Sequence, residues 1–142
     1  MKPTTFIACF GLGLVLLLAG AGGVSADHSF VLTVQQLNAG LAKAPTPREK
    51  GFILIDVRSP QEHVAGVIPG TDMNIDFREM QYRHQEIGAS LNDHIVVYCQ
   101  SGHRSNIAAE TLADLGYQYV YNIYGSMNAW LDAGYPIQPP GH

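Results

Sequence analysis

The chain has 142 residues, of which 46% are hydrophobic and 14% are charged, and its formal net charge at pH 7 is -4. This composition is too apolar for an intrinsically disordered chain, and the length suits one globular domain better than two. The acidic balance, without any run of lysine or arginine, argues against a nucleic-acid-binding protein, so we predict no nucleic-acid partner.

Residues 1–26 predict an export signal rather than part of the fold. Lys2 is the only charged residue before an apolar core at residues 6–19, and small residues precede Asp27, where we expect cleavage. Because the uncharged stretch 6–24 approaches the roughly 20 residues that span a bilayer, an uncleaved anchor is the alternative. We predict a periplasmic protein, monomeric and without stable membrane association after cleavage.

Cleavage after residue 26 would leave a domain of residues 27–142, with its core at about 30–137. It would also remove Cys9, so that Cys99 is the only cysteine of the mature domain. Disulfides normally persist in exported proteins. The predicted domain therefore has a single thiol and no intramolecular disulfide.

Helical and apolar segments alternate along this domain. Segments with helical spacing or helix-bounding residues predict helices at 34–43, 77–87, 105–115 and 126–133. Thr33 is placed to cap the first helix. Short apolar runs predict strands at 52–55, 73–75, 95–98 and 119–123. The rest of the region between the first and third strands is predicted to be rich in loops. This alternation predicts a doubly wound α/β fold with a mostly parallel central sheet and helices on both faces, with ligand sites at the carboxyl ends of the strands.

The segment Cys99-Gln100-Ser101-Gly102-His103-Arg104-Ser105 lies between the strand at 95–98 and the next helix. Successive backbone N–H groups in such a loop converge and stabilise an anion. The positive end of the helix dipole and nearby Arg104 also lower a cysteine pKa, so we predict that Cys99 is a nucleophilic thiolate at neutral pH. The alternative is that Cys99 is a small buried hydrophobic residue.

Four segments, in this order, resemble the single-domain rhodaneses, which are thiosulfate sulfurtransferases. They are Asp56-Val57-Arg58, Gly66-Val67-Ile68-Pro69-Gly70, the loop 99–105, and Gly125-Ser126-Met127-Asn128-Ala129-Trp130 with the following Ala133-Gly134-Tyr135-Pro136. The loop length also resembles this family, because related phosphatases of the same fold have C-x5-R where this chain has C-x4-R.

The resemblance implies that the Cys99 thiolate takes the outer sulfur of thiosulfate as a persulfide and passes it to cyanide or a thiol, with no cofactor. It implies that Gln100, Ser101 and His103 face the substrate, and that Gly102 and Ser105 complete the loop. Arg104 either binds thiosulfate oxygens or turns inward, with Asp56 as a partner.

Weaker signals surround this loop. Asp56 and Arg58 are candidate supporting residues, although an ion pair between Arg58 and Glu62 that holds the following loop is the simpler interpretation. Ser126 stands where the family usually has a second glycine, a change that costs little if this residue is not left-handed. The six histidines form no metal-ligand spacing, so we predict no metal site.

The sequence is also compatible with two other functions. The first is a non-catalytic sulfur carrier or protein-interaction module of the same fold. The second is a cysteine-dependent phosphatase or arsenate reductase, which the loop length and the absence of a partner cysteine in the mature domain disfavour.

Overall fold

A computed structural model describes residues 30–44, 46 and 49–141. The predicted export signal at 1–26 and the predicted start of the mature domain at Asp27 lie outside these residues. Within the described ranges, no helix is both long enough and apolar enough to cross a membrane.

Five parallel strands form one sheet in the order β1-β5-β4-β2-β3. The strands are β1 (Phe30–Leu32), β2 (Ile53–Asp56), β3 (Met73–Asn74), β4 (His94–Tyr98) and β5 (Tyr119–Ile123). In the register of β2 and β4, Asp56 lies opposite Tyr98, so both strands end at the same edge. Cys99 therefore follows a central strand at the carboxyl edge of the sheet, where parallel sheets place their ligand sites.

Helices cover both faces of the sheet. They are α1 (Val34–Lys43), α2 (Pro60–Val64), α3 (Met80–Arg83), α4 (His103–Asp114) and α5 (Ser126–Asp132). At the start of α1, the Thr33 hydroxyl accepts a hydrogen bond from the Gln36 N–H at 3.1 Å, and the Gln36 side chain accepts one from the Thr33 N–H at 2.8 Å. This reciprocal cap confirms the predicted start of the helix.

The core is divided by the sheet into two clusters. Alternate residues of β4 point to opposite faces: Val97 packs in the cluster of α4, and Val96 packs in the cluster of α1 and α5. Burying one such side chain stabilises a fold by about 1.5–3 kcal/mol. Because both faces are covered, the predicted doubly wound α/β fold and its continuous apolar strands are confirmed.

Three local predictions differ from the structure. The predicted helix at 77–87 is a short α3 flanked by the 3₁₀ turns Phe77–Glu79 and His84–Ile87, because only Met80 and Ile87 of this segment are buried. The edge strand β1 was missed, since two of its three residues are exposed and it lacks a buried pattern. The helix α2 was also missed, although Ser59 followed by Glu62 is the sequence signal of a capped helix start.

Candidate active site

Cys99 is buried at the end of β4, and the loop after it wraps around its sulfur. The Gly102 N–H donates a hydrogen bond to Cys99 Sγ at 3.1 Å, and the thiol lies 3.3 Å from Ser105 Oγ, to which it donates. Ser105 lies in the first turn of α4 and is itself fully buried. The sulfur is therefore held between a backbone donor and a hydroxyl that either accepts from the thiol or donates to the thiolate.

The surroundings of the sulfur favour its ionised form. Burial raises the pKa of the Cys99 thiol, but hydrogen bonds from the Ser105 side chain and from the backbone N–H groups of Ser105, Gly102 and Ser101 lower it further than burial raises it. The positive charge of Arg104 and the charge of Cys99 also attract each other. The lowered pKa of Cys99 agrees with the predicted direction, and a thiolate is the nucleophilic form of cysteine.

Gly102 holds the loop in a conformation that other residues rarely adopt. Its φ is +104°, and a Cβ atom on it would lie 3.3 Å from the backbone nitrogen of Gly125. Because that contact is with backbone at the start of α5, the neighbour has little room to move. Glycine is therefore required here both for its φ and for the close approach.

The residues predicted to face substrate have two different roles in the structure. Ser101 and His103 are exposed, as a substrate-facing position requires. The Gln100 side chain instead forms a bridge: its oxygen accepts from Arg58 Nη1 at 3.2 Å and its amide nitrogen donates to Asn128 Oδ1 at 2.7 Å. Gln100 thus ties the end of β2 to α5 across the loop.

Arg104 adopts the inward arrangement, but its partner differs from the one predicted. Its two terminal nitrogens donate to the two carboxylate oxygens of Glu62 at 2.9 and 2.8 Å, not to Asp56. The hydrogen bond with Arg104 lowers the pKa of Glu62 to about 2. The pair is bidentate and joins α4 to α2 beside the active-site loop.

The predicted ion pair between Arg58 and Glu62 is wrong. Arg58 Nε and Nη2 donate to the two oxygens of Asp56 at 2.9 and 2.8 Å, and Nη2 also donates to the Gly66 carbonyl at 2.7 Å. The reason is geometric. Asp56 and Arg58 are two residues apart at the end of a strand, so their side chains lie on the same face. Glu62 instead accepts a hydrogen bond from the Ser59 N–H at the start of α2. His63 Nδ1 lies 3.0 Å from Asp56 Oδ2 and completes this buried cluster.

A cavity of about 520 Å³ opens beside the loop. Its lining includes Ser101, His103, Asn106, Asn122 and Tyr124. The Asn122 Oδ1 atom is buried without a hydrogen-bond partner. The described residues contain no group of three His, Cys, Asp or Glu side chains that would hold a metal ion.

The residues that form this site lie within a segment that matches a known protein family. The rhodanese-like domain matches residues 33–133, which include the whole loop and both ion pairs beside it. The chain belongs to the rhodanese family.

Relatives within the family are named as sulfurtransferases. The thiosulfate sulfurtransferase PspE of Escherichia coli is 40% identical across 50% of this chain and 67% of its own length. A sulfurtransferase of Allochromatium vinosum is 35% identical across 62% of this chain and 79% of its own. Among solved structures, a human single-domain sulfurtransferase superposes with a TM-score of 0.61 at 29% identity, covering 72% of this chain and 95% of the human one.

This rhodanese domain has a serine in a strained conformation next to its cysteine. Ser126 has φ +48°, so the condition under which its replacement of glycine would cost little is not met. Its hydroxyl accepts from the Cys99 N–H at 3.1 Å and donates to the Ile123 carbonyl at 3.0 Å. Sequence reasoning did not identify Ser126, Glu62 or Asn128 as part of the site. The only signal was the departure from the family's glycine pair at Ser126.

Proposed function

We propose that this chain is a sulfurtransferase that carries a sulfane sulfur from thiosulfate, or a related donor, on Cys99 to cyanide or a thiol. The observation that carries the proposal is the position of Cys99 Sγ, which lies within hydrogen-bond distance of the Gly102 N–H and the Ser105 hydroxyl in a loop of the rhodanese family. The relatives named as thiosulfate sulfurtransferases support thiosulfate as the donor.

The proposed reaction has two steps. The Cys99 thiolate attacks the outer sulfur of thiosulfate, so that a sulfur–sulfur bond to Sγ forms while the bond to the sulfonate sulfur breaks. Sulfite leaves with the bonding electron pair. Cyanide then attacks the terminal sulfur of the persulfide, leaves as thiocyanate and regenerates the Cys99 thiolate; a thiol acceptor would leave as its own persulfide. This is covalent catalysis with a ping-pong order.

The site supplies electrostatic stabilisation rather than a proton. Sulfite is a stable anion and needs no general acid to leave. Glu62 is held ionised by Arg104, which keeps its pKa at about 2, so it is not a proton donor at neutral pH. The loop N–H groups that lower the pKa of Cys99 are the groups that we expect to stabilise the negative terminal sulfur of the persulfide.

The proposal is tested by detecting a persulfide on Cys99. The protein is incubated with thiosulfate and digested with trypsin without reductant, and the mass of the peptide 84–104, which contains Cys99 but not Cys9, is measured. We expect a gain of one sulfur atom on this peptide, its loss on addition of cyanide, and catalytic formation of thiocyanate.

The matched control is Cys99→Ser, which keeps the size of the side chain and is expected to gain no sulfur and form no thiocyanate. A wild-type peptide that never gains sulfur, or equal thiocyanate formation by Cys99→Ser, would contradict the proposal. A sulfur gain with negligible turnover to either acceptor would instead indicate a sulfur carrier.

We also propose that the protein is exported and matured before it acts. The support is the sequence of residues 1–26, with Lys2, an apolar core and small residues before Asp27. Mass determination of the protein from cell fractions should give a periplasmic form that begins at Asp27. A form that retains residue 1 and stays with the membrane would show the uncleaved anchor instead.

A further inference from the structure

The first residues of α5 hold the active-site loop through three hydrogen bonds. The Met127 N–H donates to the Cys99 carbonyl at 3.1 Å, and the Asn128 N–H donates to the Gln100 carbonyl at 2.9 Å. The Ser126 hydroxyl accepts from the Cys99 N–H at 3.1 Å. Two of these three contacts come from the backbone N–H groups of the following residues, but the third needs a hydroxyl at position 126.

The Ser126 hydroxyl is also connected to the sulfur by hydrogen bonds through a second serine, Ser105. Ser126 Oγ lies 3.3 Å from Ser105 Oγ, and Ser105 Oγ lies 3.3 Å from Cys99 Sγ. Ser105, Ser126 and Cys99 are each fully buried, so bulk water does not replace a missing partner in this chain of hydrogen bonds.

The direction of this chain depends on the charge of the sulfur. A thiol donates to Ser105, which then donates to Ser126, which donates to the Ile123 carbonyl. A thiolate has no proton and only accepts, so the Ser105 hydroxyl must turn and donate to Sγ. Ser126 is then the hydroxyl within reach of the Ser105 oxygen, and its single O–H turns from the Ile123 carbonyl to donate to that oxygen. Hydrogen bonds to a charged acceptor are about twice as strong as neutral ones, so this arrangement stabilises the ionised form more than the thiol.

The backbone of Ser126 supports a role for its side chain. It is the only non-glycine residue with positive φ in the part of the chain that the structure describes. A glycine would adopt φ +48° without strain, so the side chain is kept at a cost in backbone energy. Strained residues of this kind cluster at functional sites, where surrounding interactions hold them.

We propose that Ser126 is a positioning residue for the nucleophile: its hydroxyl orients the Ser105 hydroxyl toward Cys99 Sγ and so favours the thiolate over the thiol. This inference rests on the proposed function, because the ionisation of Cys99 matters to the protein only if Cys99 reacts. The hydroxyl pair replaces part of the stabilisation that water would supply to an exposed thiolate.

The charged groups around Cys99 come from other elements and do not include Ser126. Arg104 on α4 is paired with Glu62 on α2, and Arg58 at the end of β2 is paired with Asp56. Substitution of Ser126 changes none of these charges. A change in the ionisation of Cys99 in a Ser126 variant is therefore attributable to the hydroxyl or to a displacement of the loop.

Two variants separate the loss of the hydroxyl from the release of backbone strain, and a Ser105→Ala background tests whether the hydroxyl acts through Ser105. Ser126→Ala removes the hydroxyl and keeps the backbone strain, whereas Ser126→Gly removes the hydroxyl and relieves the strain. The pKa of Cys99 is measured from the pH dependence of its alkylation by iodoacetamide, followed on the peptide 84–104 so that Cys9 does not contribute. Unfolding in urea is measured in parallel.

We expect both variants to raise the pKa of Cys99 by about half a pH unit or more, which lowers the ratio of thiolate to thiol about threefold at any given pH. Ser126→Gly should nevertheless be more stable to urea than Ser126→Ala. In a Ser105→Ala background, adding Ser126→Ala should change the pKa of Cys99 little, because the hydroxyl through which Ser126 acts is gone.

The inference is overturned if the pKa of Cys99 stays at its wild-type value in Ser126→Gly, or if the effect of Ser126→Ala is the same with and without Ser105. If Ser126→Ala does not fold, Ser126→Gly gives the answer by itself. Alkylation does not involve sulfur transfer, so failure of the proposed function would leave wild-type Cys99 unpersulfidated, whereas failure of this inference would leave an active enzyme with an unchanged pKa.

Discussion

Replacing Gly102 with alanine is expected to lower kcat/KM for thiosulfate by about 100-fold, the effect of losing one preorganised donor to a developing anion. Its φ of +104° and the 3.3 Å approach of a Cβ to the Gly125 nitrogen force the loop to move. The movement displaces the Gly102 N–H, which donates to Cys99 Sγ at 3.1 Å. The pKa of Cys99 should rise at the same time, and pH-dependent alkylation measures it.

Gly88→Ala is the matched control for this prediction. Gly88 also has a positive φ, +71°, but nothing lies within 4 Å of its Cβ position, and it is not part of the active-site loop. Both variants should lose about 1–2 kcal/mol of unfolding free energy to backbone strain, measured in urea. Only Gly102→Ala should lose activity. A Gly102→Ala protein with wild-type kcat/KM would show that the loop conformation does not support the reaction.

Replacing Arg58 with methionine is expected to lower the free energy of unfolding by about 3–5 kcal/mol, the usual cost of breaking a buried ion pair from one side. The Arg58 and Asp56 side chains are only 5% and 0% exposed. Burial lowers the pKa of Arg58, but the Asp56 carboxylate raises it further, so the guanidinium stays charged. Without Arg58, the Asp56 carboxylate remains buried with less compensation, and Gln100 loses one of its two anchors.

The chain contains its own control for this pair. Arg78 donates to Asp76 with the same spacing and nearly the same geometry, through its N–H, Nε and Nη2 at 3.0, 3.0 and 2.7 Å. Its side chain is 70% exposed, so water replaces the guanidinium in Arg78→Met and the loss of stability should be much smaller.

Urea unfolding at pH 7 compares these two variants. If Arg58→Met does not fold, the double variant Asp56→Asn with Arg58→Met, which removes both charges, should recover folding. Equal losses of unfolding free energy in Arg58→Met and Arg78→Met would show that burial of the Asp56–Arg58 pair does not increase its contribution to stability.

Much of the fold follows from local signals along the chain. The apolar runs of β2 and β4 are continuous because both faces of the sheet are covered, and the Thr33 cap and the spacing of α1 lie within one stretch of residues. The short α2 and the edge strand β1 have weaker hydrophobic patterns in the sequence, since neither element contains a buried residue. Elements with few buried residues are the ones that periodicity fails to predict.

The sequence by itself determined the loop that carries Cys99, the nucleophile that we propose, because Cys99 to Ser105 are contiguous and a strand followed by a helix start places them together whatever the rest of the fold does. Only the tertiary structure decided the partners of the charged and hydroxyl groups. Arg104 lies 42 residues from Glu62, and Cys99 lies 27 residues from Ser126, so these contacts exist only after the sheet has brought α2, α4 and α5 to one edge. Hydrogen bonds have short range and strict geometry, and local sequence carries no information about which distant group will complete them.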